Sequence, residues 1–187
     1  MRKKDIEKQI AKSGWASLTQ KQKDYYYSTV ESPNDGKKGI SEIIYDEACR
    51  CLGRDISPRE NEYGCQESCN VLLYFATGEA LCNSLSTFIG YQTMKSSKRF
   101  KEIKEPDIKR GDIIISPTST SKLKGKALKI KNGHIGIIGD MLVDNKDIKI
   151  MSNSSNTSLW TQNYLLSSWK KRWGNAGYPV LFYRCLW

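Results

Sequence analysis

Nowhere in the 187 residues does an apolar run approach the roughly 18 positions that a membrane span needs. The opening MRKKDIEKQIAKSGW carries positive charge but no apolar core, which excludes a secretory signal. The chain is therefore expected to start in the cytoplasm. If it acts on a cell wall, another agent must release it. Histidine occurs once, at His134. The six cysteines show the spacings Cys49-x-Cys51 and Cys65-x3-Cys69 rather than the two-residue gap of zinc knuckles. Neither a metal nor an organic cofactor is expected. Without an export signal the thiols are read as reduced, so a disulfide framework is not the reading either. Internal repeats and low-complexity tracts are also missing.

What is present is ordinary globular composition, with 39% hydrophobic and 27% charged residues, 14 glycines and 5 prolines. One domain fits this length and can bury a core without staples. The 30 Lys and Arg against 20 Asp and Glu give a net charge of +10. The excess concentrates between Lys95 and Lys131, where twelve basic residues face four acidic ones. Such a face either keeps the protein dispersed or holds it on a polyanion, such as the acidic polymers of a bacterial envelope. Tyr25, Tyr26 and Tyr27 among lysines suggest nucleic acid, but no recognised nucleic-acid motif accompanies them and that partner is not expected. A monomer is expected.

Residues 1–38 form a basic segment, expected to be helical around TQKQKDYYYSTV, and residues 39–187 carry the main domain. ISEIIYDEACRCLG has helical spacing and a closing glycine. CQESCNVLLYFATG and STFIGYQTMKSS read as two further helices. From Gly111 the period changes to strands in GDIIISPT, HIGIIGD, DIKIMSNSS and YPVLFYRCLW. Helices first and strands after argue for an α+β fold, with the helices packed on a small antiparallel sheet. Trp160, Trp169 and Trp173 are read as packing residues, with stacking on sugar rings as the alternative.

A thiol in the first turn of a helix meets free N–H groups and the positive end of the helix dipole, both of which favour its reactive anion. Cys65 holds that position, and Cys69 lies one turn deeper where packing suits it. A neutral-pH thiol hydrolase needs a base, and His134 is the single imidazole. It opens a strand between Gly133 and Gly136, which leave room for a substrate backbone.

The series YGCQESCN, FKEIKEPDIKRGDIIISPTS, NGHIGIIGD and KIMSNSSNTSLWTQNYLLSSW resembles the NlpC-like and CHAP cysteine peptidases, most closely the compact forms of bacteriophage lysins. The likeness covers about residues 40–187. It implies a papain-like core, hydrolysis of amide bonds in peptidoglycan stems, Cys65 as nucleophile and His134 as base. A polar residue on the next strand would orient the imidazole. Asn153 is the choice for that role and Ser152 the second, since strand neighbours face opposite ways. Asp140 and Asp144 read as turn formers. The oxyanion would take the N–H of Cys65 and one further donor, with Tyr63 and Gln66 both open. The expected function is a lytic peptidoglycan peptidase or amidase held on anionic wall polymers by its basic face. The alternatives are an antibacterial effector or other cysteine amide transferase, and a basic binding protein that cuts nothing.

Overall fold

The computed structural model describes residues 38–57, 64–118, 132–142 and 147–186. The expected helix in TQKQKDYYYSTV, together with Tyr63 and Asp144, lies outside them. In ISEIIYDEACR, the residues Ile43, Ile44, Glu47 and Ala48 fall on one face and are buried, forming helix α1 (Ile40–Arg50). Helix α2 (Gly64–Thr77) buries Cys69, Val71, Leu72 and Leu73. It ends at Gly78, whose φ of 79° suits the left-handed C-cap and whose N–H reaches the Tyr74 carbonyl at 2.9 Å. Helix α3 spans Thr87–Ser96.

Six strands follow: β1 (Phe100–Ile103), β2 (Ile113–Ser116), β3 (His134–Leu142), β4 (Asp147–Asn153), β5 (Trp160–Leu165) and β6 (Leu181–Cys185). Between β5 and β6, helix α4 (Leu166–Trp169) runs into a wider π-turn at Lys170–Gly174. The strands pair throughout as antiparallel neighbours in the order β1-β6-β2-β3-β4-β5. The fold is thus α+β with an antiparallel sheet. That sheet is larger than the sequence suggested. FKEI and WTQNYL add strands at its two edges, where short, mostly polar segments carry little alternation.

The sheet is buried on both faces. Ile113, Ile115, Ile135, Ile137, Met151 and Tyr183 point toward α1 and α2. Ile114, Ile138, Ile150 and Phe182 point the other way, onto Leu166, Trp169, Trp173 and Tyr178. Continuous apolar runs such as IIIS and HIGII are what strands covered on both sides require. Trp160 is fully buried, and its indole N–H donates to the Ala48 carbonyl at 3.0 Å, so β5 is tied to the end of α1.

The turn before β2 depends on Gly111 and Asp112. Gly111 has φ of 83°, and a Cβ there would stand 1.7 Å from the Ser41 carbonyl oxygen. Asp112 is fully buried and receives Arg184 twice, at 2.9 and 2.8 Å, and the Lys109 N–H at 2.7 Å. This pair joins β2 to β6 beneath α1. Removing one member of a buried ion pair strands the other in a poorly solvated place. Asp112→Ala is expected to lower the unfolding free energy by roughly 3 kcal/mol in urea denaturation. Glu42→Ala, which breaks the exposed pair with Arg110, should leave the urea midpoint nearly unchanged.

Candidate active site

His134 begins β3 at the point where β2 ends, since Ser116 pairs with it. The approach is close: a Cβ on Gly133 would meet the Ser116 carbonyl oxygen and the Thr118 nitrogen at 2.3 Å each. Thr118 accepts the Gly133 N–H at 2.9 Å and pairs with Thr87 of α3 at 2.8 Å, which anchors this corner.

The imidazole lies on the sheet face that carries Trp169 and Trp173. The Trp173 ring is parallel to it within 5° at 4.9 Å, Trp169 is 5.2 Å away, and Tyr164 meets it edge-on at 5.7 Å. The π-turn after α4 presents both tryptophans to one ring, and such turns recur at functional sites. Both indoles are fixed by their own N–H groups, Trp169 on the Ser116 hydroxyl at 3.0 Å and Trp173 on the Asn132 carbonyl at 3.3 Å. The three tryptophans 160, 169 and 173 are buried, so packing is their place and none is a free platform for a sugar.

Nε2 of His134 is 2.9 Å from the Ser152 hydroxyl, and that hydroxyl donates to Oδ1 of Asn163 at 2.7 Å. The orienting contact is therefore made by Ser152, not by Asn153. The reason is strand alternation: Ser152 points with Ile150 toward the imidazole, and Asn153 points with Met151 toward α2. Asn153 is buried there against Gly64, where a glycine Cβ would stand 2.3 Å from its Nδ2. Its Oδ1 has no hydrogen-bond partner among the described residues.

Cys65 occupies the first turn of α2, and the N–H groups of Ile135, Gln66 and Cys65 itself point at its sulfur. The thiol thus lies against the peptide that joins His134 to Ile135. Among the described residues the imidazole has one hydrogen bond, that from Nε2 to Ser152, and none of them engages Nδ1. Gln66 does not turn its side chain to this place. One helical step from Cys65, its amide donates to Asn70 at 3.1 Å and to the Cys82 sulfur at 3.6 Å, beneath Gly90. Its main-chain N–H alone remains at the sulfur. Asp140 is at the other end of β3, accepting the Tyr45 hydroxyl at 2.7 Å.

Burial dominates the electrostatics. Desolvation pushes the Cys65 thiol up to about 11 against the smaller pull of the three N–H groups. Desolvation also brings the imidazole down to about 3, with the Arg172 charge adding to it. Both shifts favour the neutral forms, a thiol and an uncharged imidazole. Cys69 is fully buried, and burial holds its thiol well above the ordinary range. No three His, Cys, Asp or Glu side chains among the described residues are placed to hold a metal. No described helix is long and apolar enough to cross a membrane.

Sequence reasoning passed over Asn163, and it read Trp169 and Trp173 as packing residues without tying them to the imidazole. The four-residue spacing of the two tryptophans was the available signal. No protein-family model, curated protein or solved structure matches the chain.

A neutral pair has a definite pH signature. Alkylation of Cys65 by iodoacetamide, followed by site-resolved mass spectrometry, should accelerate by about tenfold per pH unit from 6 to 9, because only the thiolate reacts. A rate already level between pH 5 and 7 would mean a preformed thiolate–imidazolium pair.

Proposed function

We propose that this protein is a cysteine hydrolase that cleaves an amide bond in the stem peptides of peptidoglycan. The observation that carries the reading is the Cys65 thiol at the head of α2, resting on the peptide beside His134, whose far nitrogen is held by Ser152. A helix presenting a thiol from its first turn, packed on an antiparallel sheet that supplies an oriented imidazole, is the arrangement expected of a papain-like core. The peptidoglycan substrate rests on the sequence resemblance. The exposed Lys95, Lys98, Lys101, Lys104 and Lys109 support attachment to anionic wall polymers.

The chemistry follows from two neutral partners. As the substrate carbonyl approaches, Sγ of Cys65 forms the new bond and its proton passes to Nδ1 of His134, the nitrogen not engaged by Ser152. Imidazolium and oxyanion then appear together, and the N–H of Cys65 at the helix head meets the oxyanion. Imidazolium returns the proton to the leaving amine as the C–N bond breaks. Water attacks the thioester with His134 again as base, releasing the acid and restoring the thiol. Trp173 and Trp169 keep water from the imidazole flank, so the proton is exchanged with reactants rather than with solvent.

The test is digestion of purified muropeptides with mass spectrometry of the products. Wild-type protein should leave two fragments whose masses sum to substrate plus one water. Cys65→Ala should leave the substrate intact while keeping the native circular dichroism spectrum. Cys69→Ala should still cut, although losing a buried thiol costs about 1 kcal/mol or more. Intact substrate under wild-type protein, with every stem-peptide chemotype tried, would reject the peptidoglycan reading.

Ser152 and Asn153 offer an internal comparison. Ser152→Ala is expected to lower kcat by roughly tenfold to a thousandfold with little change in KM, since it releases the imidazole. Asn153→Ala should act mainly through stability, read as a lower melting temperature with kcat largely kept. The reverse pattern in initial rates on one muropeptide would return the orienting role to Asn153.

A further inference from the structure

We propose that Asn163 is a positioning residue that, through Ser152, fixes the proton of His134 on Nε2 and keeps Nδ1 free as the base. The proposal rests on the hydrolase reading for its purpose, while its geometry stands independently. A serine hydroxyl has one proton. In this structure it goes to Oδ1 of Asn163 at 2.7 Å. The Ser152 oxygen can then offer only a lone pair to Nε2 of His134, 2.9 Å away, so Nε2 must carry the hydrogen. A neutral imidazole holds one N–H, which leaves Nδ1 as the acceptor. The opposite tautomer would place a proton on the nitrogen that has to receive one from the thiol.

A second observation shows that the backbone is arranged for this contact. Along the β4–β5 ladder, Ile150 pairs with Tyr164 and Ser152 pairs with Thr161. Between those pairs β4 has one residue, Met151, and β5 has two, Gln162 and Asn163. That is a β-bulge, with the extra residue on β5. In a regular strand, Asn163 and Tyr164 would face opposite sides of the sheet. The bulge lets both serve the imidazole: Tyr164 meets its edge at 5.7 Å, and Asn163 reaches the hydroxyl that holds it. Ser152 is fully buried while Asn163 is exposed on the outermost strand, so the amide can accept without loss of its own hydration. The flanking Trp173 and Trp169 rings confine the imidazole plane, and the relay through Ser152 then chooses which nitrogen carries the proton.

Because His134 is the only histidine in the chain, ¹⁵N-histidine labelling of the full-length protein gives one imidazole spin system and no assignment problem. At pH 7 the wild-type protein is expected to show a protonated Nε2 and a bare Nδ1. Asn163→Ala frees the Ser152 proton to turn toward Nε2, so a mixture of tautomers should appear. On a defined muropeptide, kcat should fall by about tenfold with KM unchanged. Asn163→Asp keeps an acceptor at the same place. It should restore the Nε2–H form and raise the imidazole pKa, since a carboxylate favours the cation. A wild-type imidazole protonated on Nδ1, or an Asn163→Ala spectrum identical to wild type, overturns the proposal. The tautomer measurement needs no substrate. If the nitrogens behave as expected while no muropeptide is cut, the relay stands and the peptidoglycan reading falls.

Discussion

Strand β3 is covered on both faces, and its successive side chains therefore belong to two different cores. Ile135 and Ile137 pack toward the helices that carry the thiol, and His134 and Ile138 pack toward the tryptophans. Everything in the candidate site follows from that division. The thiol meets β3 at its main chain, where the Ile135 N–H points at the sulfur. The imidazole is held from the far side by Ser152 and by aromatic rings. One strand thus brings Cys65 and His134 to the same peptide unit while their supports are built from separate elements.

The two supports act on the protons in complementary ways. Burial raises the thiol to about 11 and lowers the imidazole to about 3, so the resting site holds no ion pair. A site of this kind spends little of its folding stability on buried charge. A fully buried carboxylate is found instead at Asp112, which forms a structural pair with Arg184 at the turn into β2. Its role is to fix the strand that places Ser116 opposite His134 and under the Trp169 indole.

The N-terminal turn of α2 shows a further consequence of crowding. Gly64 precedes the thiol because the Asn153 amide and the Ser57 hydroxyl fill the space a side chain would need, at 2.3 and 2.7 Å from a Cβ. Asn153 is thereby a packing neighbour of helix α2 rather than of the imidazole. Adjacent residues on β4 consequently support the two halves of one site from opposite faces.

The helices α1, α2 and α3 and the strands β2, β3, β4 and β6 were legible in the sequence because each has either a 3.6-residue apolar period or a short, largely apolar run bounded by turn residues. The position of Cys65 in a first turn, and of His134 at the start of a strand after a glycine, could be read from turn chemistry alone. Edge strands β1 and β5 were not legible, since a half-exposed edge needs few apolar residues. Which of Ser152 and Asn153 faces the imidazole was undecidable locally: alternation says that they face apart, but only the packed sheet says which side is which. Asn163 was further out of reach. Its direction depends on a bulge, a mismatch of one residue between two strands that exists only once they are paired. Local periodicity determined the elements and the positions of Cys65 and His134 at their starts, and tertiary registry decided which neighbours hold those side chains, because a strand's faces acquire their identities only from what packs against them.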